Sequence, residues 1–155
     1  MLQARTRHFG PIEYDEAAVL TFPWGLPAFE QLSRFLLIEH PSAAPLVFLQ
    51  SLEREELCLP AIPVLALDPD YELALSSDDL ETLGFTSAEQ PPGVDTLGCF
   101  VVVSIPAVGP ATANLLAPIV VNLASRLAVQ AVRADRRYSH QHPLVSAGTG
   151  EAVCS

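Results

Sequence analysis

His140 and His142 form a His-x-His pair, a spacing that suggests metal ligation. On an extended strand the two imidazoles share one face. A third ligand is missing nearby, which weighs against a metal centre and against a metalloenzyme built on it. His8 and His40 are isolated and read as surface or strand-end residues. Serine, histidine and aspartate are all present, but no Gly-x-Ser-x-Gly elbow anchors a triad. Cys58 has Glu53, Glu55 and Glu56 beside it, carboxylates that raise a thiol pKa instead of activating it. Gly148-Thr149-Gly150 lacks the strand and helix that a phosphate loop requires. These residues point to a chain without catalytic machinery, metal or cofactor.

Recognition chemistry is better represented. Glu53-Arg54-Glu55-Glu56 links two apolar runs, and Asp68, Asp70, Glu72, Asp78, Asp79 and Glu81 gather around a turn and a helix. Asp68-Pro69-Asp70-Tyr71-Glu72 lacks the glycine and the distal glutamate of a calcium loop. The clusters read as a solvated acidic rim or as a docking surface for a basic protein. In Thr21-Phe22-Pro23-Trp24-Gly25-Leu26-Pro27-Ala28-Phe29-Glu30, two prolines and a glycine set a tight bend around Trp24, Leu26 and Phe29. Phe22, Leu26 and Phe29 suit a core plug. Trp24, at the tip, is open between packing and service as an aromatic anchor for a partner.

The charge balance agrees. The 155 residues carry 18 acidic against 8 basic side chains, a net charge of −10, and every basic residue is arginine. Binding a phosphate backbone requires Lys/Arg neutralisation, so nucleic acid is not expected as a direct ligand. The acidity favours a basic protein partner approached with electrostatic steering, or simply a solvated surface. Cys58, Cys99 and Cys154 are widely spaced and odd in number, which is neither a disulfide framework nor a zinc pattern. The N-terminal residues show no charged segment followed by an apolar one, so the expected compartment is the cytoplasm.

The elements that must position these groups are short and punctuated by proline and glycine. Half of the residues are hydrophobic and 17% are charged, as in a folded globule. Strand-length runs occur at Leu2–His8, Ala18–Phe22, Arg34–Glu39, Leu46–Leu52 and Gly98–Ile105. Leu57–Leu67 is interrupted by Pro60 and Pro63, which suits an edge or a bulge. Residues 112–132 look by hydropathy like a membrane helix, and Leu123–Val132 also fits an amphipathic one. Pro118, Asn114, Asn122 and Arg126 oppose the membrane reading. β-Branched Ile119, Val120 and Val121 favour two strands joined near Leu116-Ala117-Pro118, with a last strand over Ala128–Arg133. One convincing helix spans about 77–83, with Ser76 or Ser77 as N-cap and Gly84 as its stop. A weaker helical turn is possible over Ala28–Ser33. The expectation is a mainly all-β fold, a small antiparallel β-barrel with one short helix. Residues 1–145 would form one domain and 146–155 a flexible C-terminal tail.

Four blocks resemble the flagellar assembly factor FliW family. They are Phe9-Gly10-Pro11-Ile12-Glu13-Tyr14 with Leu20–Glu30; Phe35-Leu36-Leu37-Ile38 with Phe48-Leu49-Gln50-Ser51-Leu52; Asp70-Tyr71-Glu72; and Thr112–Asn122, closing with Tyr138 and His142-Pro143-Leu144. In order they span almost everything from residue 9 to 144, and the first and fourth blocks are the specific ones. Trp24 stands where the family commonly has a polar residue, Ala28 where it has glycine, and Gln141 where arginine is common. The resemblance implies a non-enzymatic β-barrel that binds the translational repressor CsrA, relieving repression of flagellin mRNA, and that is captured in turn by flagellin. Expected partner contacts are the acidic residues Glu53, Glu55, Asp78, Asp79 and Glu81, and the motif residues Trp24, Leu26, Gln50, Tyr71 and Asn114. Gln50 and Asn114 have a structural alternative in bonding barrel backbone, and Tyr71 in closing the core.

Overall fold

In a computed structural model, residues 2–26, 29–85, 96–135 and 137–144 are described. The expected tail at 146–155 lies outside them, as does Ala28. Eleven strands occur among the described residues: β1 (Leu2–Thr6), β2 (Gly10–Tyr14), β3 (Leu20–Thr21), β4 (Arg34–Glu39), β5 (Val47–Ser51), β6 (Cys58–Pro63), β7 (Leu97–Ser104), β8 (Thr112–Ala113), β9 (Ile119–Asn122), β10 (Ala128–Gln130) and β11 (His142–Pro143). Two short α-helices join them, α1 (Val64–Leu67) and α2 (Ser77–Thr82), with 3-10 turns at Glu16–Ala18 and Pro41–Ala43.

β1 and β2 form a separate antiparallel hairpin. The other strands make one antiparallel sheet in the order β10-β9-β7-β6-β5-β4-β3, with β8 bridging β7 to β11. The fold is mainly β, as expected, but the sheet is not closed into a barrel. Its two end strands are linked by a single parallel bridge, Thr21 with Leu127, where the Thr21 N–H donates to the Arg126 carbonyl at 2.9 Å.

Further expectations need correction. β6 is interior to the sheet, not an edge, despite Pro60 and Pro63. It pairs with β5 through Cys58–Ala61 and with β7 through Ala61–Pro63, so only Ala61 is paired on both sides. A staggered strand tolerates prolines that a continuous double ladder would not. Leu123–Val132 is a turn followed by β10, and residues 29–33 contain no helix. The two strands of Thr112–Asn122 exist, yet they do not pair with each other. Both lie against β7, β8 at Val103–Ser104 and β9 at Leu97–Phe100.

Burial explains the apolar run in β9. Ile119 and Val121 face a cluster containing Leu20, Phe22, Leu26, Phe35 and Leu49, whereas Val120 meets Leu83 and Ala131 on the other side. A strand covered on both faces reads as continuous rather than alternating hydrophobicity. Phe22 and Phe35, both fully buried, meet edge to face at 5.3 Å. A second cluster joins Ile62, Val64, Tyr71, Val101, Val103 and Leu115. No helix of the described residues is long and apolar enough to cross a membrane.

Candidate functional site

The bend after β3 is held from below. Phe22 and Leu26 are buried in the core, and Leu26 and Phe29 bridge back to back, the Phe29 N–H donating to the Leu26 carbonyl at 2.7 Å. Gly25 has φ +67°, and a Cβ there would stand 2.4 Å from the Glu30 carbonyl oxygen. Only glycine fits, so the chain turns sharply enough to leave Trp24 outside. Trp24 is 72% exposed.

Its indole has a definite seat. Trp24 Nε1 donates to Thr82 Oγ1 at 3.0 Å, on the last residue of α2. That helix is fixed by a capping box: Ser76 Oγ accepts from the Asp79 N–H, and the Asp79 carboxylate accepts from the Ser76 N–H. At its far end Asn122 Nδ2 donates to the Leu83 carbonyl at 2.8 Å, tying α2 to the β9–β10 turn. Gly84 follows at φ +91°. Asp78 and Thr82 are four residues apart and therefore share a helix face. The bend and the acidic helix, separate features in the sequence, are thus joined: the exposed indole bonds to α2, the helix that also carries exposed Asp78 and Glu81.

Most of the other expected contacts are occupied within the fold. Asp79 is committed to the cap. The Glu53 carboxylate accepts from the Ser33 and Arg34 N–H groups at 2.6 and 3.0 Å, clasping the start of β4. Glu55 is exposed, and its backbone carbonyl accepts from both the Arg7 N–H and Gln50 Nε2. Gln50 is fully buried, with Nε2 also donating to the Ser51 carbonyl. Tyr71 is buried and donates its hydroxyl to the Leu115 carbonyl at 2.8 Å. Asn114 Oδ1 accepts from the Leu116 and Ala117 N–H groups, each at 3.2 Å, and so shapes the β8–β9 connection. Leu26 and Asn114 meet elsewhere: both line a cavity of about 310 Å³ with Phe29, Val102, Gln130 and His140.

Arg133 carries no obvious signal in the sequence but organises the C-terminal region. Its side chain is only 3% exposed. The guanidinium is bidentate to Asp135, donates to the Glu72 carbonyl, and lies 4.7 Å from the Tyr138 ring centre and 5.5 Å from that of Tyr71. The hydrogen bond to Asp135 is the largest cause of its raised pKa, and in return it lowers that of Asp135. An arginine lying over two stacked tyrosines that are distant in sequence is invisible to pattern reading.

Neither described cysteine is an activated thiol. Burial raises the Cys58 pKa, and it is burial rather than the neighbouring glutamates that does so. Burial also pushes Cys99 up to about 12. Both thiols are therefore protonated near neutral pH. Among the described residues no group of three or more His, Cys, Asp or Glu side chains is placed to hold a metal.

The family model described as FliW protein matches residues 3–144. The flagellar assembly factor FliW of Syntrophomonas wolfei is 32% identical over 136 residues, 87% of this chain and 83% of that protein. That of Natranaerobius thermophilus is 34% identical over 137 residues, 88% of each chain. A crystal structure of the flagellar assembly factor FliW superposes with a TM-score of 0.80 at 29% identity, covering 94% of this chain and 98% of the other. The chain belongs to the FliW family of flagellar assembly factors.

Proposed function

We propose that this protein is a cytoplasmic partner-switching antagonist of the repressor CsrA and a flagellin-binding factor, with no catalytic activity. Bound to it, CsrA leaves flagellin mRNA free for translation. Accumulating flagellin captures the factor and returns CsrA to its message. The single observation that carries this reading is the seating of exposed Trp24 on the acidic helix α2. A protein that holds RNA presents basic side chains. Asp78 and Glu81 offer them opposite charge, and the Trp24 ring offers both apolar area and a cation-binding face. The net charge of −10 would steer such a partner from a distance. The switch requires that the two complexes exclude or weaken each other.

Co-purification of the tagged protein with CsrA and with flagellin, followed by competition between them, tests the reading. Both should bind, and flagellin should displace CsrA. Association with CsrA should slow markedly as salt rises. Simultaneous binding with unchanged affinities would remove the switch, and a salt-independent rate would remove the electrostatic component. Failure of both partners to bind would leave an acidic binding module for a non-flagellar protein.

A further inference from the structure

The β1–β2 hairpin forms a sheet of its own, and two strands alone are marginal in water. It is fastened to the body by the Phe9–Phe48 ring contact at 5.3 Å and by the Arg7 N–H bond to the Glu55 carbonyl at 3.0 Å. Its hydrogen-bond parity follows from one residue. Pro11 faces Arg5 and has no N–H, so Arg5–Pro11 is a non-bonded pair. Thr6–Gly10, Ala4–Ile12 and Leu2–Tyr14 are then the bonded pairs, and Gln3 and Arg5 turn their N–H and C=O groups away from β2. Arg7, of the same parity, agrees: its N–H points outward to Glu55.

The two edges of the hairpin therefore differ. On β2, Pro11 removes an outward donor, a common way of blunting an edge. On β1, neither proline nor bulge interrupts the edge. The backbone groups of Gln3 and Arg5 make no hydrogen bond to other described residues on that side. Residues 2–10 carry Arg5 and Arg7 and no acidic side chain, in a chain of net charge −10. Neither arginine is in an ion pair among the described residues. Arg5 also lines a notch of about 260 Å³ with Thr6, Gly10, Pro11 and Glu55, where the open edge ends.

We propose that the outer edge of β1 is a docking site for an extended acidic segment of another protein, which joins the hairpin as a third strand. Gln3 and Arg5 supply up to four backbone hydrogen bonds, and Arg5 faces a carboxylate across the strand. Glu55 at the notch disfavours a second carboxylate at that end. This site rests on the hairpin alone and does not depend on the CsrA and flagellin reading.

The test uses the full chain, labelled with nitrogen-15, and a blocked pentapeptide Thr-Val-Glu-Val-Thr at millimolar concentration in 150 mM salt. Amide shifts and slowed exchange should map to Leu2–Thr6. The lysine analogue Thr-Val-Lys-Val-Thr should bind about threefold more weakly, the size of a cross-strand charge pair. Arg5→Glu should reverse the order of the two peptides. Gln3→Pro should weaken binding while preserving the β1–β2 ladder, because it deletes only an outward donor. Shifts elsewhere, no shifts at all, or an order that Arg5→Glu leaves unchanged would overturn the proposal. Protection of the same amides that rises with protein concentration in the absence of peptide would assign the edge to a second copy instead.

Discussion

Trp24 and Thr82, 58 positions apart in sequence, are joined by an indole N–H to hydroxyl hydrogen bond of 3.0 Å. The bond sets an otherwise solvent-facing ring against the last turn of α2, so aromatic and acidic groups are presented together. An exposed hydrogen bond contributes only about 1 kcal/mol. Its effect is to hold one ring orientation for a partner.

Trp24→Ala should therefore leave stability within about 1 kcal/mol of the parent, because the ring is mostly in water. Binding to CsrA should fall by about 30-fold, the loss typical of an anchoring tryptophan. Trp24→Phe, which keeps a ring but loses the donor to Thr82, should fall between. Thermal unfolding alongside calorimetric titration checks this. A large drop in melting temperature with intact binding would make Trp24 a packing residue.

Asn114 separates structural from recognition roles by chemistry. Its Oδ1 accepts two backbone N–H groups in the β8–β9 connection. Asn114→Asp retains an acceptor there and should be tolerated, whereas Asn114→Ala should cost about 1 kcal/mol through two unanswered donors. Urea unfolding of both variants measures the difference. Equal stability of the two would shift attention to its position in the cavity with Leu26 and His140.

What could be read from the sequence was local. Arg34–Glu39 is bounded as expected, Ser76 caps α2, and the Trp24 bend is legible because proline and glycine dictate backbone directly. Long-range relations were not legible. Pro60 and Pro63 point to an edge unless one knows that β6 changes partner at Ala61. Glu53 looks like a solvated charge until folding brings the Ser33 and Arg34 N–H groups to it. The hairpin strand Gly10–Tyr14 is hidden in the sequence because Gly-Pro normally signals a turn, yet here Pro11 sits at a position where no N–H is required. Acidic residues thus could be counted in advance, but not sorted into those bound to backbone and those left for a partner.

Arg133 should be intolerant of substitution. Arg133→Met leaves the Glu72 carbonyl without its donor and removes the cation from two aromatic faces, at an expected cost of about 2–4 kcal/mol. Arg133→Lys should not restore it, because an ammonium cannot form the bidentate contact with Asp135. The partner carboxylate gives a pH signature. Its folded pKa is depressed below the ordinary 3.8, so its stabilisation is present above that value and is lost as pH falls through the folded pKa. Asp135→Asn should flatten the acid limb of the stability profile below about pH 4, as followed by urea midpoints. An unchanged acid limb would mean that the pair contributes nothing to it.

Gln50 offers the sharpest test of a buried polar group. The carbonyls of Ser51 and Glu55 fix its amide orientation, since only the NH2 end can face them. Its Oε1 has no partner among the described residues. Gln50→Leu removes the donors and should cost about 1–3 kcal/mol, with no dependence on pH. Gln50→Glu instead sets a carboxylate against two carbonyl oxygens, so its folded pKa rises well above the unfolded value of about 4.3. A raised acid pKa means a penalty that is absent below the unfolded pKa and grows as pH rises above it. At pH 7 the glutamate variant should therefore be the less stable of the two. Near pH 4 the protonated carboxyl can donate to one carbonyl, and the order should reverse. Parallel unfolding curves across that range, with no crossing, would show that these two carbonyls do not direct the Gln50 amide.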